Sequence, residues 1–221
     1  MLKIDHVSAS IAGNTVLRSI STEFNAGQLL AVVGRNGAGK TTLLRAIMGL
    51  LPLSAGTIAM HGEDLSRVPA HRRTSLGIGY APEDRVMYPT FSVEENLRLP
   101  CDVLGLEATE IDQRLARVLE VVPQLRGMLP RSGSALSGGQ GKMAALGRAL
   151  MVGTRLVLLD EPFQGLAPVL ANQYAESLRK LHEIAPELCI VVTESNRSLL
   201  RDLPDATLIL ERGELVEGEG G

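Results

Sequence analysis

A glycine-rich segment directly after an apolar run constrains this chain more than any other feature. The run is Leu29–Val33, and the segment that follows it, Gly34-Arg-Asn-Gly-Ala-Gly-Lys-Thr41, fits the pattern GxxxxGK[ST] ahead of a helix-forming stretch at residues 42–48. Glycines let the backbone wrap around an oxyanion, so that successive N–H groups and the positive end of the next helix face the same anion. The sequence therefore predicts a strand, a phosphate-binding loop and a helix in that order.

Residue types in this loop suit the phosphates of a nucleotide and its metal ion. The Lys40 ammonium is predicted to bind the β- and γ-phosphates and to contribute to catalysis, and the Thr41 hydroxyl is predicted to ligate Mg²⁺. We therefore predict ATP and Mg²⁺ as cofactors. The predicted nucleotide contacts of the loop are Gly34, Asn36, Gly37, Gly39, Lys40, Thr41 and Thr42.

Two carboxylates follow a second apolar run, at residues 156–159. Asp160 is predicted to hold Mg²⁺ through its water shell, and Glu161 to polarise the water that attacks the γ-phosphate. A strand that ends in Asp-Glu is common and is usually just a solvated strand end. The catalytic interpretation depends on the phosphate loop upstream.

Short apolar runs separated by helix-length segments recur along the chain. Such runs are typical of buried parallel strands, so the sequence predicts an α/β fold with a mainly parallel sheet. Three runs near the N-terminus are closely spaced by Gly and Asn turns and predict an antiparallel β lobe. The predicted parallel strands are 29–33, 78–81, 156–159, 189–192 and 207–210, and the predicted antiparallel strands are 2–10, 20–24 and 57–61.

The middle third of the chain lacks strand patterns and predicts helices. Ser92 and Glu95 fit a capping box, residues 107–121 carry apolar side chains at helical spacing, and Ser137 is suited to cap a further helix. We therefore predict a single domain over residues 1–221, with an α/β core (1–85 and 153–221) and an inserted helical subdomain at about 86–152.

Composition narrows the possible partners. The 22 basic and 25 acidic residues give a net charge of −3, which does not suit nucleic-acid binding, so no nucleic-acid partner is expected. The longest apolar run near the start, Leu29–Val33, is far shorter than the roughly 18 residues of a membrane span, so any membrane role is expected through a partner. The two cysteines form no CxxC pair, which favours a reducing, cytoplasmic setting.

Leu136-Ser-Gly-Gly-Gln140, between the two nucleotide motifs, resembles the signature sequence of ATP-binding-cassette ATPases, and the order of motifs along the chain is similar to that family. The resemblance implies a head-to-tail dimer, in which the signature of one subunit covers the γ-phosphate held by the phosphate loop of the other. Ser137, Gly139 and Gln140 are carried over as nucleotide contacts of that kind. A small hydroxyl and backbone N–H groups at a helix start suit a second anion site.

Three further stretches resemble the branched-chain amino-acid and urea/amide uptake ATPases: Tyr80-Ala-Pro-Glu-Asp-Arg85, Ser92-Val-Glu-Glu-Asn-Leu97 and Gly165-Leu-Ala-Pro168. In that family these stretches surround the groove that receives the membrane subunit. The resemblance implies a second cassette of the same or a sister chain, integral membrane permease subunits and a substrate-binding protein. It also implies a peripheral position on the inner face of the plasma membrane.

Some positions depart from the general family pattern. Ile11 stands where an aromatic residue usually stacks on adenine, with Val16 as the other base contact. Glu83 replaces the usual Gln near the metal, and Ala167 replaces an Asp. Ser195 occupies the switch position that normally holds a catalytic His, and its shorter hydroxyl is expected to reach the γ-phosphate poorly. These departures indicate slow hydrolysis at the chain's own loop and a heterodimer.

Two alternative functions remain open, and a third is disfavoured. The cassette could power export of lipid or lipopolysaccharide, or it could be a weakly hydrolysing regulatory subunit, as Ile11 and Ser195 suggest and Glu161 argues against. A soluble switch in repair or ribosome biology is disfavoured, because no tandem cassette or coiled-coil insertion is present. Away from the site, Arg72 and Arg73 are predicted to lie on a solvated helix face.

Overall fold

Two sheets and six α-helices form the protein, whose computed structural model describes residues 1–84 and 87–216. The first sheet is antiparallel, with strand order β2-β1-β4-β5, and the second has the order β10-β9-β3-β8-β7-β6. The strands are β1 Leu2–Ile11, β2 Asn14–Phe24, β3 Leu29–Val33, β4 Ala55–Met60, β5 Glu63–Asp64, β6 Ile78–Ala81, β7 Leu156–Asp160, β8 Cys189–Glu194, β9 Ala206–Glu211 and β10 Glu214–Val216. The helices are α1 Lys40–Ile47, α2 Ala70–Arg73, α3 Val93–Val103, α4 Ala108–Val121, α5 Gly138–Val152 and α6 Pro168–Ile184.

The second sheet confirms the predicted α/β fold and its mainly parallel sheet. Strands β6 to β9 and β3 pair in parallel, and β10 pairs antiparallel with β9 at one edge. The residues of β3, β6, β7 and β8 are mostly buried, as expected for parallel strands with both faces covered, whereas most of β9, next to the edge strand β10, is only half-buried or exposed. The carboxyl ends of β3, β7 and β8 therefore meet at one edge, and the segments that begin at Gly34, Glu161 and Ser195 leave from it.

The predicted antiparallel lobe is confirmed, with one strand longer than expected and a short fourth strand, β5, that was not predicted. Strand β2 begins at Asn14, whereas the sequence pattern predicted a start at residue 20. The pairing of β1 with β2 shifts register between Val7 and Ala9 and again between Ala9 and Ser10. Such bulges break the strict alternation of buried and exposed residues, which hid the first part of the strand.

Helices α3, α4 and α5 lie between β6 and β7 in the chain and pack on one another around an apolar core. Both predicted caps are present, because Ser92 and Ser137 each form a capping box with the residue three positions on. The predicted boundary between the core and the helical subdomain falls at residues 85 and 86, which lie outside the described part of the chain, as do residues 217–221. Arg85, in one of the stretches that resemble the uptake ATPases, is therefore not described. The division into core and helical subdomain stays a prediction.

Helix α5 contacts the sheet through backbone atoms near its C-terminus. A Cβ atom on Gly79 would lie 2.1 Å from the Ala149 carbonyl oxygen and 3.0 Å from the Gly153 Cα atom. Only glycine permits this approach of helix to strand, since any side chain would separate the two backbones.

Arg73 corrects the prediction of a solvated helix face. Its neighbour Arg72 is exposed as predicted, but Arg73 is buried. The Arg73 guanidinium donates to four carbonyl oxygens, two of them at the C-terminal end of α1, where a cation also meets the negative end of the helix dipole. These acceptors belong to Val68, Ala46, Ile47 and Leu65.

None of the described helices combines the length and the apolar character that crossing a membrane would require.

Candidate nucleotide site

The phosphate loop is closed by its own backbone and by the neighbouring strands. The Gly34 N–H donates to the Glu194 carbonyl at 3.2 Å, and the Ala38 N–H donates to the Arg35 carbonyl at 3.0 Å. Gly39 precedes α1 with a φ of 109°, a left-handed conformation that side chains rarely adopt. The loop is therefore held in place before the start of α1, where N–H groups converge on an anion.

The Lys40 ammonium lies at the centre of the site. It donates to the Gly34 carbonyl at 2.6 Å and to the Arg35 carbonyl at 3.2 Å. It also forms an ion pair of 2.9 Å with Glu161 Oε1, and both side chains are about 95% buried, with exposures of 4% and 5%. The predicted phosphate-binding cation and the predicted base thus contact each other directly.

The second carboxylate oxygen of Glu161 is held by Ser195. Both the backbone N–H and the hydroxyl of Ser195 donate to Glu161 Oε2 at 3.2 Å. The Glu161 backbone has a positive φ of 47°, which costs energy for a residue with a side chain. Its N–H donates to the carbonyl and hydroxyl oxygens of Thr193, at 3.2 and 3.1 Å. The structure thus gives Ser195 a direct contact with the predicted base.

Asp160 accepts three hydrogen bonds in a buried position. Thr193 Oγ1 and Thr41 Oγ1 donate to Oδ1 at 2.8 and 3.1 Å, and the Tyr80 hydroxyl donates to Oδ2 at 3.3 Å. Burial raises the pKa of Asp160, and the three donors oppose that effect. A carboxylate and a threonine hydroxyl in contact are hard oxygen ligands of the kind that Mg²⁺ takes. Thr41 and Asp160 therefore fit a magnesium ion.

Most of the predicted nucleotide contacts line one cleft. Ser195 lies beside that cleft through its contact with Glu161. Ile11 is 43% exposed at the end of β1 and is not among the residues that line the cleft, and neither are Ser137, Gly139 and Gln140 at the start of α5. The lining residues are Val16, Asn36, Gly37, Gly39, Lys40, Thr41, Thr42, Glu83, Glu161 and Gln164.

The sequence analysis missed two buried ionisable residues behind Glu161. Lys142, in the second turn of α5, donates to the Glu161 carbonyl oxygen. Glu194, at the end of β8, accepts from the Phe163 N–H at 2.7 Å, while its Oε2 has no hydrogen-bond partner among the described residues. Burial raises the pKa of Glu194 to about 8. Their positions next to apolar runs were the signal that could have found both residues, since Lys142 directly precedes the apolar stretch 143–146 and Glu194 lies at the end of the buried strand β8.

A second groove adjoins the cleft and shares Thr41 and Glu83 with it. Tyr88 lies near enough to Arg148 of this groove to act on its charge, and its ring centroid is 5.5 Å from that of Phe91, a second partly exposed aromatic side chain. The groove combines apolar, acidic and basic side chains. Its lining residues are Thr41, Arg45, Met48, Leu50, Thr74, Tyr80, Pro82, Glu83, Asp84, Pro100, Arg148, Ala149, Val152 and Asp160.

Sequence comparison finds a family and several named relatives. The family model for ABC transporter matches residues 17–164. The high-affinity branched-chain amino acid transport ATP-binding protein BraG of Pseudomonas aeruginosa is 34% identical, covering 100% of this chain and 93% of that protein. The probable branched-chain amino acid transport ATP-binding protein LivF of Archaeoglobus fulgidus is 31% identical, covering 98% and 90%. The sulfate/thiosulfate import ATP-binding protein CysA of Yersinia pseudotuberculosis is 33% identical, but the match covers only 59% of it.

Solved structures share the same fold. The ATP-binding subunit of an ABC transporter superposes with a TM-score of 0.84 at 26% identity, covering 97% of this chain and 88% of the other. A dimeric ATP-binding cassette in a post-hydrolysis state, bound to ADP and Pi, gives a TM-score of 0.86 at 21% identity, covering 98% and 97%. The second likeness speaks to the fold alone.

Proposed function

The chain belongs to the ABC transporter family and is an ATPase of that family; from that premise we propose that it powers import of branched-chain amino acids or related small organic solutes. The names of two relatives that match over nearly their whole length support this substrate class. The similarity to a sulfate importer shows how widely the family's substrates vary. The transported substrate would contact the membrane partner and not this chain. The site therefore supports ATP hydrolysis as the energy source, and the relatives support the proposed substrate class.

The contacts of Glu161 carry the mechanistic part of the proposal. We infer that the phosphate loop binds the ATP phosphates. The Lys40 ammonium then leaves its ion pair with Glu161 and binds the γ-phosphate. Glu161 then accepts the proton of the attacking water, with Ser195 orienting its second oxygen. Thr41 and Asp160 would hold Mg²⁺, with Glu83 nearby. When bound, the ion would neutralise phosphate charge.

A second cassette would complete the site. Ser137, Gly139 and Gln140 lie at the start of α5 and do not line the cleft that holds Lys40 and Glu161. This separation supports a head-to-tail pair, in which these residues meet the nucleotide of the opposite copy. The Ser137 hydroxyl already caps the helix by accepting from the Gln140 N–H at 3.3 Å, so the helix start is ordered.

The second groove is the proposed dock for a membrane permease subunit. It shares Thr41 and Glu83 with the nucleotide cleft and also contains Asp160, so an occupant would contact residues that respond to the nucleotide. Exposed Tyr88, which lies near Arg148 of the groove, and its neighbour Phe91 supply the aromatic anchors that interfaces favour. We infer a peripheral position on the cytoplasmic side of a membrane and, for an importer, a substrate-binding protein on the other side.

Steady-state ATP hydrolysis by the purified chain tests the mechanism. We expect Glu161→Gln to bind ATP but to lose turnover, since it removes the proposed base, and Lys40→Ala to lose ATP binding by about 100-fold or more, since it removes the cation that binds the phosphates. Lys3→Ala, on the exposed face of β1, is the matched lysine control. Turnover by Glu161→Gln at the parent rate would remove Glu161 as the base.

Uptake by proteoliposomes tests the cargo. The chain is reconstituted with the permease and binding-protein subunits that co-purify with it, and uptake of labelled leucine is compared with that of labelled sulfate. ATP-dependent leucine uptake alone supports the proposed substrate class, whereas sulfate uptake alone contradicts it. ATP binding without turnover by the isolated chain, followed by turnover in the reconstituted complex, would favour a weakly hydrolysing cassette in a heterodimer.

A further inference from the structure

We propose that Lys142 is a positioning residue for hydrolysis, which fixes from helix α5 the backbone that carries Glu161, while Glu194 fixes the same segment two residues further on. The inference rests on the proposed role of Glu161 as the base. It assigns a task to two buried ionisable residues that bind no phosphate and that the reaction scheme leaves unused.

The segment 161–163 needs this support because its conformation is strained. Glu161 has a positive φ, and Pro162 has no N–H with which to anchor the chain. Two N–H groups remain in the segment, those of Glu161 and Phe163, and oxygen atoms of β8 accept hydrogen bonds from both. Thr193 accepts from the Glu161 N–H, and Glu194 accepts from the Phe163 N–H. The strand β8 therefore holds the segment at both ends.

Lys142 supplies the remaining contact from a different element. Its ammonium donates to the Glu161 carbonyl oxygen, which also accepts a weaker bond of 3.3 Å from the Gln164 N–H. Burying an ammonium is costly unless polar groups surround it. The carboxyl group of Glu194 lies close enough that the charge of Lys142 lowers its pKa, against the larger effect of burial. The lysine is thus bonded to the carbonyl of the base residue and lies near the second carboxyl group.

This arrangement joins the signature to the base within one chain. Lys142 is in the same helix that begins after Ser137, so a movement of α5 reaches Glu161 through a single side chain. A displacement of about 1 Å at a catalytic group can cost about 100-fold in rate. Occupation of the signature by the nucleotide of a second copy would thereby set the position of the base in this copy.

Substitution of Lys142 separates positioning from binding. Lys142→Met keeps a long side chain but removes the donor, so we expect kcat to fall at least about 10-fold. The KM for ATP and the affinity for an ATP analogue should stay within about 3-fold, because the phosphate contacts are unchanged. Lys142→Arg restores a cationic donor and should recover part of kcat. Lys180→Met, in a half-exposed pair with Glu120, is the control and should match the parent.

Substitution of Glu194 tests the other anchor and guards against misfolding at Lys142. Glu194→Gln keeps a carbonyl oxygen for the Phe163 N–H and should retain turnover, whereas Glu194→Leu removes the acceptor and should lose kcat with ATP binding preserved. Turnover of both Lys142→Met and Glu194→Leu within 2-fold of the parent would overturn the proposal, as would equal losses of kcat and ATP affinity in both. A parent rate in Glu161→Gln would instead contradict the proposed base, so the two failures are distinguishable.

Discussion

Two regions of the molecule outside the phosphate loop bury a cation against backbone carbonyls, and they use it differently. Next to α1, the Arg73 guanidinium donates to four carbonyl oxygens. Two of these oxygens belong to the C-terminal end of α1, the helix that follows the phosphate loop. Behind Glu161, Lys142 donates to the carbonyl of a strained residue and lies near a second buried carboxyl group. The first cation donates only to carbonyl oxygens in the hydrogen bonds described, with the Asp64 carboxylate near enough to act on its charge, whereas the second donates to a carbonyl oxygen and lies near the buried carboxyl group of Glu194.

The difference teaches how to interpret a buried charge. A guanidinium presents five donors in a fixed plane, so it can satisfy several carbonyls at once and lock a helix end to its surroundings. A lysine ammonium on a flexible stem can follow a moving partner. We therefore expect the Arg73 region to contribute to stability and the Lys142 region to contribute to turnover.

Removal of Arg73 should give the largest change in stability. Arg73→Met leaves several buried carbonyls without a donor, so we expect the free energy of unfolding to fall by about 2–4 kcal/mol. Urea denaturation measures it, with the exposed neighbour in Arg72→Met as the control, expected within about 0.5 kcal/mol of the parent. The ATP turnover of the folded fraction should remain within 2-fold, and a larger loss of turnover would show that the two regions do not differ as proposed.

Glu194 should make the second region sensitive to pH. Its pKa is raised by burial to about 8, so the folded protein keeps a proton that the unfolded chain releases at lower pH. This contribution to stability is complete below the pKa of an unfolded glutamate and is lost as the pH rises through about 8.

The variant Glu194→Gln cannot lose that proton. We expect its melting temperature, relative to the parent, to rise by several degrees between pH 5 and pH 8.5, as measured by calorimetry in matched buffers. The same comparison for Arg72→Met should show no such trend. A constant difference between Glu194→Gln and the parent would mean that Glu194 is ionised throughout this range.

The hydroxyl of Ser195 should have the smallest effect of the three. Ser195→Ala removes one of the two donors to Glu161 Oε2, but the backbone N–H remains at 3.2 Å, so kcat should fall only about 2- to 5-fold. Ser198→Ala is the matched control, since among the described residues its hydroxyl donates to Asn196 and does not contact Glu161. A loss of 100-fold in Ser195→Ala would mean that the hydroxyl itself takes part in the reaction.

The sequence patterns predicted the fold well and the site in part. Apolar runs and glycine turns give strands because burial and backbone geometry are local properties, and the phosphate loop is one continuous segment. The contact of Ser195 with Glu161 and the burial of Arg73 depend on elements far apart in the chain. Charge alone predicted exposure for Arg73, but the carbonyls at the end of α1 provide acceptors that no local pattern records.

The glycine contact between α5 and β6 provides a fixed point about which α5 can rotate. Gly79 and Gly153 bring the backbones together at the C-terminal end of a helix of 15 residues, which is about 22 Å long. A turn of about 5° around that end moves the first residue by about 2 Å and Lys142 by about two thirds as much. We expect α5 to rotate about this contact, with the largest displacement at Ser137. A bulkier residue at position 79 would therefore change the displacement that reaches Glu161 without contacting the nucleotide.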